Sequence, residues 1–516
     1  MGETEEATIK SVAADKVTIT LVETLNYTHL GGRFGEEKGS DQFGGHIFIH
    51  TPKFNSGEAK ARIEYTEITH AGQAFRLGRY PIHFHMNGKM PDSYVRGCSI
   101  HHTFNRAVNM HNNHDTIIER NVGYHIMGGA FFFEDGIETN NTFQYMLIIF
   151  VIPSTSLLND DITPAAIWVT HPENIIQHNV MAGNTFFGMW YRMRAHPEGP
   201  SYTTSVCPQN ALMGINYNNT VHSCGWFGLW IFETYKPRVG GFCGSSTPVP
   251  AVFRDLFVYN NEKGAEIVNG GAIQIEGMIA VNNKKAGFEE KLLIEGEKFS
   301  VNGSLIKDSC IVGYTSALTT SSTFCTTAAV VFPYLDGFLV SNVIFENFDR
   351  ANCWVFEWTR ITGTCLVNCS GFWYMTESLT FVNSPNKIHY DWLFEGAVYD
   401  LDGTLTGNPS KPVVITTTGI LPTSKWMVAD ELFPTMETLI IKGTLEVDAD
   451  FDGDGNFLNF ELRVTYLIIH GGRLIVGWTD NPFPGTMSII LQGTEASPPL
   501  NNILHVPITA KSMSMF

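Results

Sequence analysis

The chain has 516 residues, with 33 basic against 51 acidic side chains, a net charge of −18, 48 Gly, 36 Phe and only 16% charged residues. An acid excess of that size repels phosphate backbones and excludes a nucleic-acid partner. The length accommodates two to four domains or one elongated solenoid, and no apolar run reaches the ~20 residues of a membrane-spanning helix.

The opening MGETEEATIK carries neither the basic nor the apolar region of a secretion signal, which predicts a fragment of a longer secreted or membrane-anchored chain. From about residue 60 a short unit recurs: an apolar strand, an Asn or Gly corner, another strand. It reads SYVRGCSIHHTFNRAVNM at 93–110, DTIIERNVGYHIMGGAFFF at 115–133, ENIIQHNVMAGNTFFGMWY at 173–191, NYNNTVHSCGWFGLWIF at 216–232 and DLFVYNNEKGAEIV at 255–268. Where nothing intervenes the corners step by roughly 22 to 23 residues, as from Ile100 to Val122 and from Gly264 to Gly287, a period at which one supersecondary unit stacks on the next.

This pattern predicts an all-β fold, a right-handed parallel β-helix of the pectin-lyase-like type. Asn and Gly tolerate the left-handed corners, Asn side chains of successive coils satisfy backbone groups the corners leave unpaired, and Val, Ile and Phe fill the interior on alternate positions. Ile100, Val122, Val180, Val221 and Val258 are expected inward. MLIIFVI at 146–152 reads as a buried strand. A β-sandwich or propeller also strings short strands together, but propeller blades repeat at ~40 residues or more and no such period is present.

Nine cysteines and five N-x-S/T sequons, at Asn26, Asn140, Asn218, Asn302 and Asn368, suit a secreted setting. Cys365 with Cys369, Cys207 with Cys243 and Cys325 with Cys353 are candidate disulfides, which leaves Cys98, Cys224 and Cys310 unassigned, some of them in strand-like text that suits a buried thiol.

Three constellations could carry chemistry. The densest is a His-rich belt from Arg79 to Asp135. A 23-residue coil places Arg79, His102 and His125 at one angular position, and His111 with Glu134, then Asn112 with Asp135, at another, about 4.8 Å apart along the axis. His83 and His85, at i and i+2, share one side of a strand, as metal ligands or a proton-relay pair would. The belt reads either as a structural polar ladder or as a catalytic groove lined by His83, His85, His102, Glu134, Asp135, Asp160 and Asp161. The last two belong to a second constellation, Asn159-Asp160-Asp161, in an insertion that could wall a cleft with an acid/base pair or Ca²⁺ ligands, or form a solvated turn. The third is DFDGDGNFLNFE, where Asp450, Asp452, Asp454 and Glu461 match the spacing of a calcium loop, although its flanks read as strands rather than helices. No other cofactor signal is present, and no phosphate loop, G-x-S-x-G elbow or H-E-x-x-H helix occurs.

Several long segments carry a resemblance: FRLGRYPIHFHMNG at 75–88, SYVRGCSIHHTFNRAVNMHN at 93–112, GGAFFFEDGIE at 128–138, STSLLNDDITPAAIWVTHP at 154–172 and VHSCGWFGLWIFE at 221–233. They resemble the fibrocystin-like family of large ciliary and cell-surface proteins and, more distantly, the cell-surface hyaluronidases of the cell-migration-inducing family. VTITLVETLNYTHLGG near the start, and IIKGTLEV, LRVTYLIIHGGRLIVG and MSIILQG near the end, resemble the β-rich module named for its eight glycines. The resemblance implies three parts: 1–55 as the tail of a first eight-glycine module, 56–410 as β-helix repeats, and 411–516 as the start of a second module. It implies an extracellular or cell-surface, structural and ligand-binding role without turnover, with a glycan or protein as partner and no membrane insertion by this segment. The alternative is a hyaluronidase-type glycan depolymerase acting in the His and acid groove.

Overall fold

Strand alternation decides what lies inside each coil. In Val108–Glu119, Val108 and Met110 are fully buried in the interior, and Asn109 and His111 between and after them point to the outer side. Ile82 and Phe84 lie opposite Val108 and Met110 on the coil before, and Phe131 and Phe133 lie opposite them on the coil after, all in parallel register. Repetition of this pairing builds a parallel β-helix.

The computed structural model describes residues 8–14, 18–24, 42–154, 159–294, 300–359, 372–390 and 396–408, and further on 413–416, 419–420, 436–441, 444–447, 460–469, 473–476, 485–492 and 512–515. Each coil contributes a strand to three parallel faces. Face A runs through Ile47–Ile49, the starts of Ile82–Arg96 and Val108–Glu119, then Phe131–Phe133, Ala165–Val169, Phe187–Tyr191, Phe227–Tyr235, Lys263–Gly270, Ala286–Leu293, Ala328–Phe332 and Trp354–Trp358. Face B includes Thr142–Gln144 and Ile175–Gln177, and face C includes Ser99–Thr103, Val122–Met127 and Leu147–Ile152. The step is 23 residues from Val108 to Phe131 and from Ala265 to Phe288, and it grows to 40 from Met189 to Leu229, where an insertion leaves the coil.

Ile100, Val221 and Val258 point inward and are fully buried, whereas Val122 is 41% exposed and Val180 is half-buried. The inward places on those coils belong to Gly123 and Met181, because Ile100 pairs with Gly123, Gly123 with Ile148 and Ile148 with Met181. The reason is packing: a Cβ on Gly123 would come within 3.2 Å of the Phe131 ring. The interior space there is filled from face A, so the inward residue carries no side chain.

The corners behave as the composition predicts, with a wider choice of residue. Buried Asn side chains pass from coil to coil: Asn141 N–H donates to Asn174 Oδ1 at 2.9 Å, Asn179 N–H to Asn219 Oδ1 at 3.2 Å and Asn261 N–H to Asn283 Oδ1 at 3.1 Å. Positive φ is taken not only by Asn218, Asn260 and Asn282 but also by His102, Arg120, His125, Tyr145 and His178. Cys207–Cys243 and Cys325–Cys353 are disulfides, Cys98 and Cys224 are buried thiols and Cys310 is half-buried; Cys365 and Cys369 lie outside the described residues.

A second compact unit is formed by described residues between 436 and 515. In it Phe460–Ile469 pairs in parallel with Met436–Ile441, Met487–Leu491 and Ser512–Met515, around buried Leu462, Val464 and Leu467. Asp450, Asp452 and Asp454 lie outside the described residues, and Glu461 sits in a strand paired with Arg463.

Candidate functional site

The outer side of face A, over its first coils, gathers the His belt. His83 and His85 alternate with inward Phe84, His111 stands opposite His85 on the next coil, and the backbone N–H of Glu134 donates to Met110 O, which sets Glu134 beside His111 on the coil after that. One ring nitrogen from each of His83, His85 and His111 lies within 4.8 Å of the other two. The His83 and His111 rings stack at 6.1 Å between centroids, with His85 edge-on to both at 5.0 and 4.8 Å.

Hydrogen bonds fix the tautomers. His83 Nδ1 sits 2.9 Å from Gly78 O, which can only accept, so Nδ1 carries the proton and Nε2 presents a lone pair; that Nε2 is buried without a hydrogen-bond partner. Burial pushes the His83 pKa down to about 3, so the ring is neutral. His111 Nε2 lies 2.8 Å from Asp135 Oδ2, and its Nδ1 lies 3.5 Å from Glu134 Oε2. Burial opposes charge on His111, but the Asp135 hydrogen bond and the Glu134, Asp135 and Glu138 carboxylates outweigh it and raise its pKa. Burial, with His111 and His50 nearby, lowers that of His85.

The carboxylates of the belt are heavily tied. Glu134 accepts from Asn109 Nδ2 at 2.6 Å and from Tyr80 Oη at 3.5 Å. Asp135 Oδ2 also accepts the backbone N–H of Ser201 at 3.2 Å, while Asn112 Nδ2 donates to Ser201 Oγ at 2.9 Å, so the 192–214 insertion is seated on the belt and anchored by Cys207–Cys243. Glu138 is fully buried and accepts the N–H groups of Asn112, Asp135, Gly136 and Ile137 at 2.9 to 3.1 Å; burial nonetheless raises its pKa.

Asp161 is neither a cleft acid nor part of a solvated turn. It lies in the one-turn helix Asn159–Ile162 and forms a buried two-pronged pair with Arg106, Nε to Oδ1 at 2.9 Å and Nη2 to Oδ2 at 3.2 Å. The side chain of Asp160 lies outside the described residues. His102 is also apart from the cluster: on an outer corner it stacks with His70 at 5.6 Å and meets the tilted His125 ring at 4.9 Å. The expected partner Arg79 is replaced there by His70, because Ile68 pairs with Ile100 and this coil is 32 residues long rather than 23. Arg79 is exposed beside His46.

Residues 42–229, which hold this belt, match the CEMIP beta-helix family, and residues 406–515 match the G8 domain. Human Fibrocystin-L is 45% identical over 474 residues, covering 80% of this chain. The chain is fibrocystin-L-like. It spans 11% of the length of that relative. Human "Cell surface hyaluronidase CEMIP2" is 33% identical, covering 38% of this chain and 16% of its own. Among solved structures, a tailspike protein of E. coli bacteriophage HK620 in complex with pentasaccharide is 9% identical with a TM-score of 0.31, covering 86% of this chain and 70% of its own.

Within this fibrocystin-L-like belt, sequence reasoning missed Arg106, Tyr80 and Glu138. Arg106 closes SIHHTFNR and Glu138 closes FFFEDGIE, so both stood inside the segments that signalled the family. The long-range Arg106–Asp161 pairing left no periodic trace, since 55 residues including an insertion separate the two.

Proposed function

We propose that this chain is part of a cell-surface β-helix protein that binds an extracellular glycan or protein ligand without cleaving it. One observation carries the reading: Asp135 is engaged by His111 and by Ser201 of the 192–214 insertion, and Glu134 by Asn109 and Tyr80, whereas glycoside hydrolysis requires two carboxyl groups flanking an open cleft. The extracellular setting draws support from two disulfides and from the sequon residues Asn140, Asn218 and Asn302, all exposed at the surface. No described helix is long and apolar enough to cross a membrane.

A hyaluronidase-type depolymerase is the second reading. The observation favouring it is that the CEMIP2 relative is named a hyaluronidase and that the family match covers the belt itself. Incubation with hyaluronan, pectate and heparan sulfate, with and without Ca²⁺, separates the two. Retention on immobilised glycan with no chain shortening is expected. Cleavage that disappears in Asp135→Asn would replace the first reading with the second.

A further inference from the structure

We propose that His83, His85 and His111, closed by Glu134, form a binding site for a divalent transition-metal ion of the zinc type. Three ring nitrogens already converge within 4.8 Å of one another, from strands on adjacent coils. Tetrahedral zinc, with bonds of 2.0–2.1 Å, sets its ligand nitrogens ~3.3 Å apart, so the rings must close slightly. His85, half-exposed and edge-on to the other two, is placed to turn inward.

The protonation pattern is that of a ligand set. His83 spends its Nδ1 proton on Gly78 O, and its side chain, 2% exposed, leaves Nε2 bare. That lone pair faces Glu134 Oε2 at 4.0 Å, so two electron-rich atoms confront each other in a buried place. A cation between them turns the confrontation into two bonds. His85 Nδ1 is likewise buried without a hydrogen-bond partner. His111 directs Nε2 at Asp135 Oδ2 and Nδ1 toward Glu134 Oε2, the carboxylate-histidine arrangement that orients a metal-binding ring from behind. Three imidazoles and one carboxylate suit zinc, copper, nickel or iron, whereas Ca²⁺ and Mg²⁺ take oxygen ligands. The other grouping of this kind among the described residues, His196 with Cys207 and Cys243, is different, because both sulfurs are committed to a disulfide.

Because the donors come from three successive coils, the ion would tie those coils together. The site stands whether or not the surface binds a glycan. The test strips the purified chain with a chelator and titrates it with Zn²⁺ by calorimetry and with Co²⁺ by visible absorption. A single equivalent bound, a higher thermal midpoint and the d–d bands of nitrogen-ligated Co²⁺ are expected. His83→Ala and His111→Ala should abolish binding, Asp135→Asn should weaken it about 10- to 100-fold, and His222→Ala, at a distant corner, should leave it unchanged. If His83→Ala does not fold, the half-exposed His85→Ala and the near-isosteric Glu134→Gln carry the test. Binding in the wild type no tighter than in His85→Ala and Glu134→Gln, or displacement of Zn²⁺ by equimolar Ca²⁺, would overturn the proposal.

Discussion

Face A carries two polar clusters on its outer side, and they solve the same problem differently. Near one end, Glu266 and Glu289 lie directly opposite each other on adjacent coils, a pairing of like charges. Lys263 donates to both, Lys291 reaches Glu289 Oε1 at 2.7 Å, and Thr359 Oγ1 donates to the same oxygen at 2.9 Å. Every charge there finds its counter-charge within the chain. The His belt occupies the same outer column, since His83 lies opposite Asn109 and that column continues through Phe132, Trp168, Trp190 and Trp230 to Glu266. Yet it leaves His83 Nε2 and His85 Nδ1 buried and unbonded. The lysine ladder meets its charges within the chain, whereas the His belt holds two buried ring nitrogens that no protein group bonds.

The largest effect belongs to buried charge. Arg106→Ala strands Asp161, whose side chain is 2% exposed, and should cost roughly 3 to 5 kcal/mol in urea unfolding; Lys263→Met leaves Glu266 and Glu289 to share Lys291 and should cost somewhat less, roughly 2 to 4 kcal/mol. His85→Ala in metal-free protein should cost within about 1 kcal/mol, as a half-exposed ring without a hydrogen bond from that nitrogen. Equal losses at Lys263 and His85 would break the comparison.

A second effect is pH-dependent and lies inside the coil next to the lysine ladder. Burial pushes the Glu290 carboxyl up from 4.5 to about 8, with Ser304 Oγ 2.7 Å from Oε2. Ser304 Oγ also lies 3.0 Å from Ile273 O, so its single proton can serve that carbonyl while a protonated Glu290 donates to Ser304. The folded state therefore holds a proton that the unfolded chain releases above pH ~4.5. This stability is complete below that pH and is lost as pH rises to about 8, by up to ~1.4 kcal/mol per pH unit. Urea midpoints measured across this window should fall in the wild type and flatten in Glu290→Gln; a slope that persists in the variant would place the proton elsewhere.

The smallest effect sharpens the register. Val122→Asp, at a 41% exposed position, should shift stability by less than about 1 kcal/mol, while Ile100→Asp, fully buried, should cost several. Comparable thermal shifts would mean that the coil is misregistered.

The period and the pairing of His111 with Glu134 were legible in the sequence because both follow the 23-residue step, and the Asn ladders and two disulfides were legible from residue type although their spacings run from 22 to 40 residues. The Val122 register was not, because Gly123 gives up its side chain to make room for Phe131, and a rule that places apolar residues inside chooses the wrong neighbour. The Arg79 stack failed because the coil between Ile68 and Ile100 is nine residues longer than the 23-residue step. The role of Asp161 depends on where an insertion folds back, which no period encodes. His83 and His85 could be paired as donors from i and i+2 alone, but their missing hydrogen bonds become visible only once Gly78, Asp135 and Glu134 are in place.

The most direct measurement is a crystal structure of the Zn²⁺-treated protein with diffraction data collected on either side of the zinc absorption edge. The account predicts one anomalous peak within bonding distance of His83 Nε2 and His111 Nδ1, with the His85 ring turned toward it and Glu134 as the fourth ligand. No peak there, with the three rings in their present positions and water or a protein donor facing His83 Nε2, would contradict it.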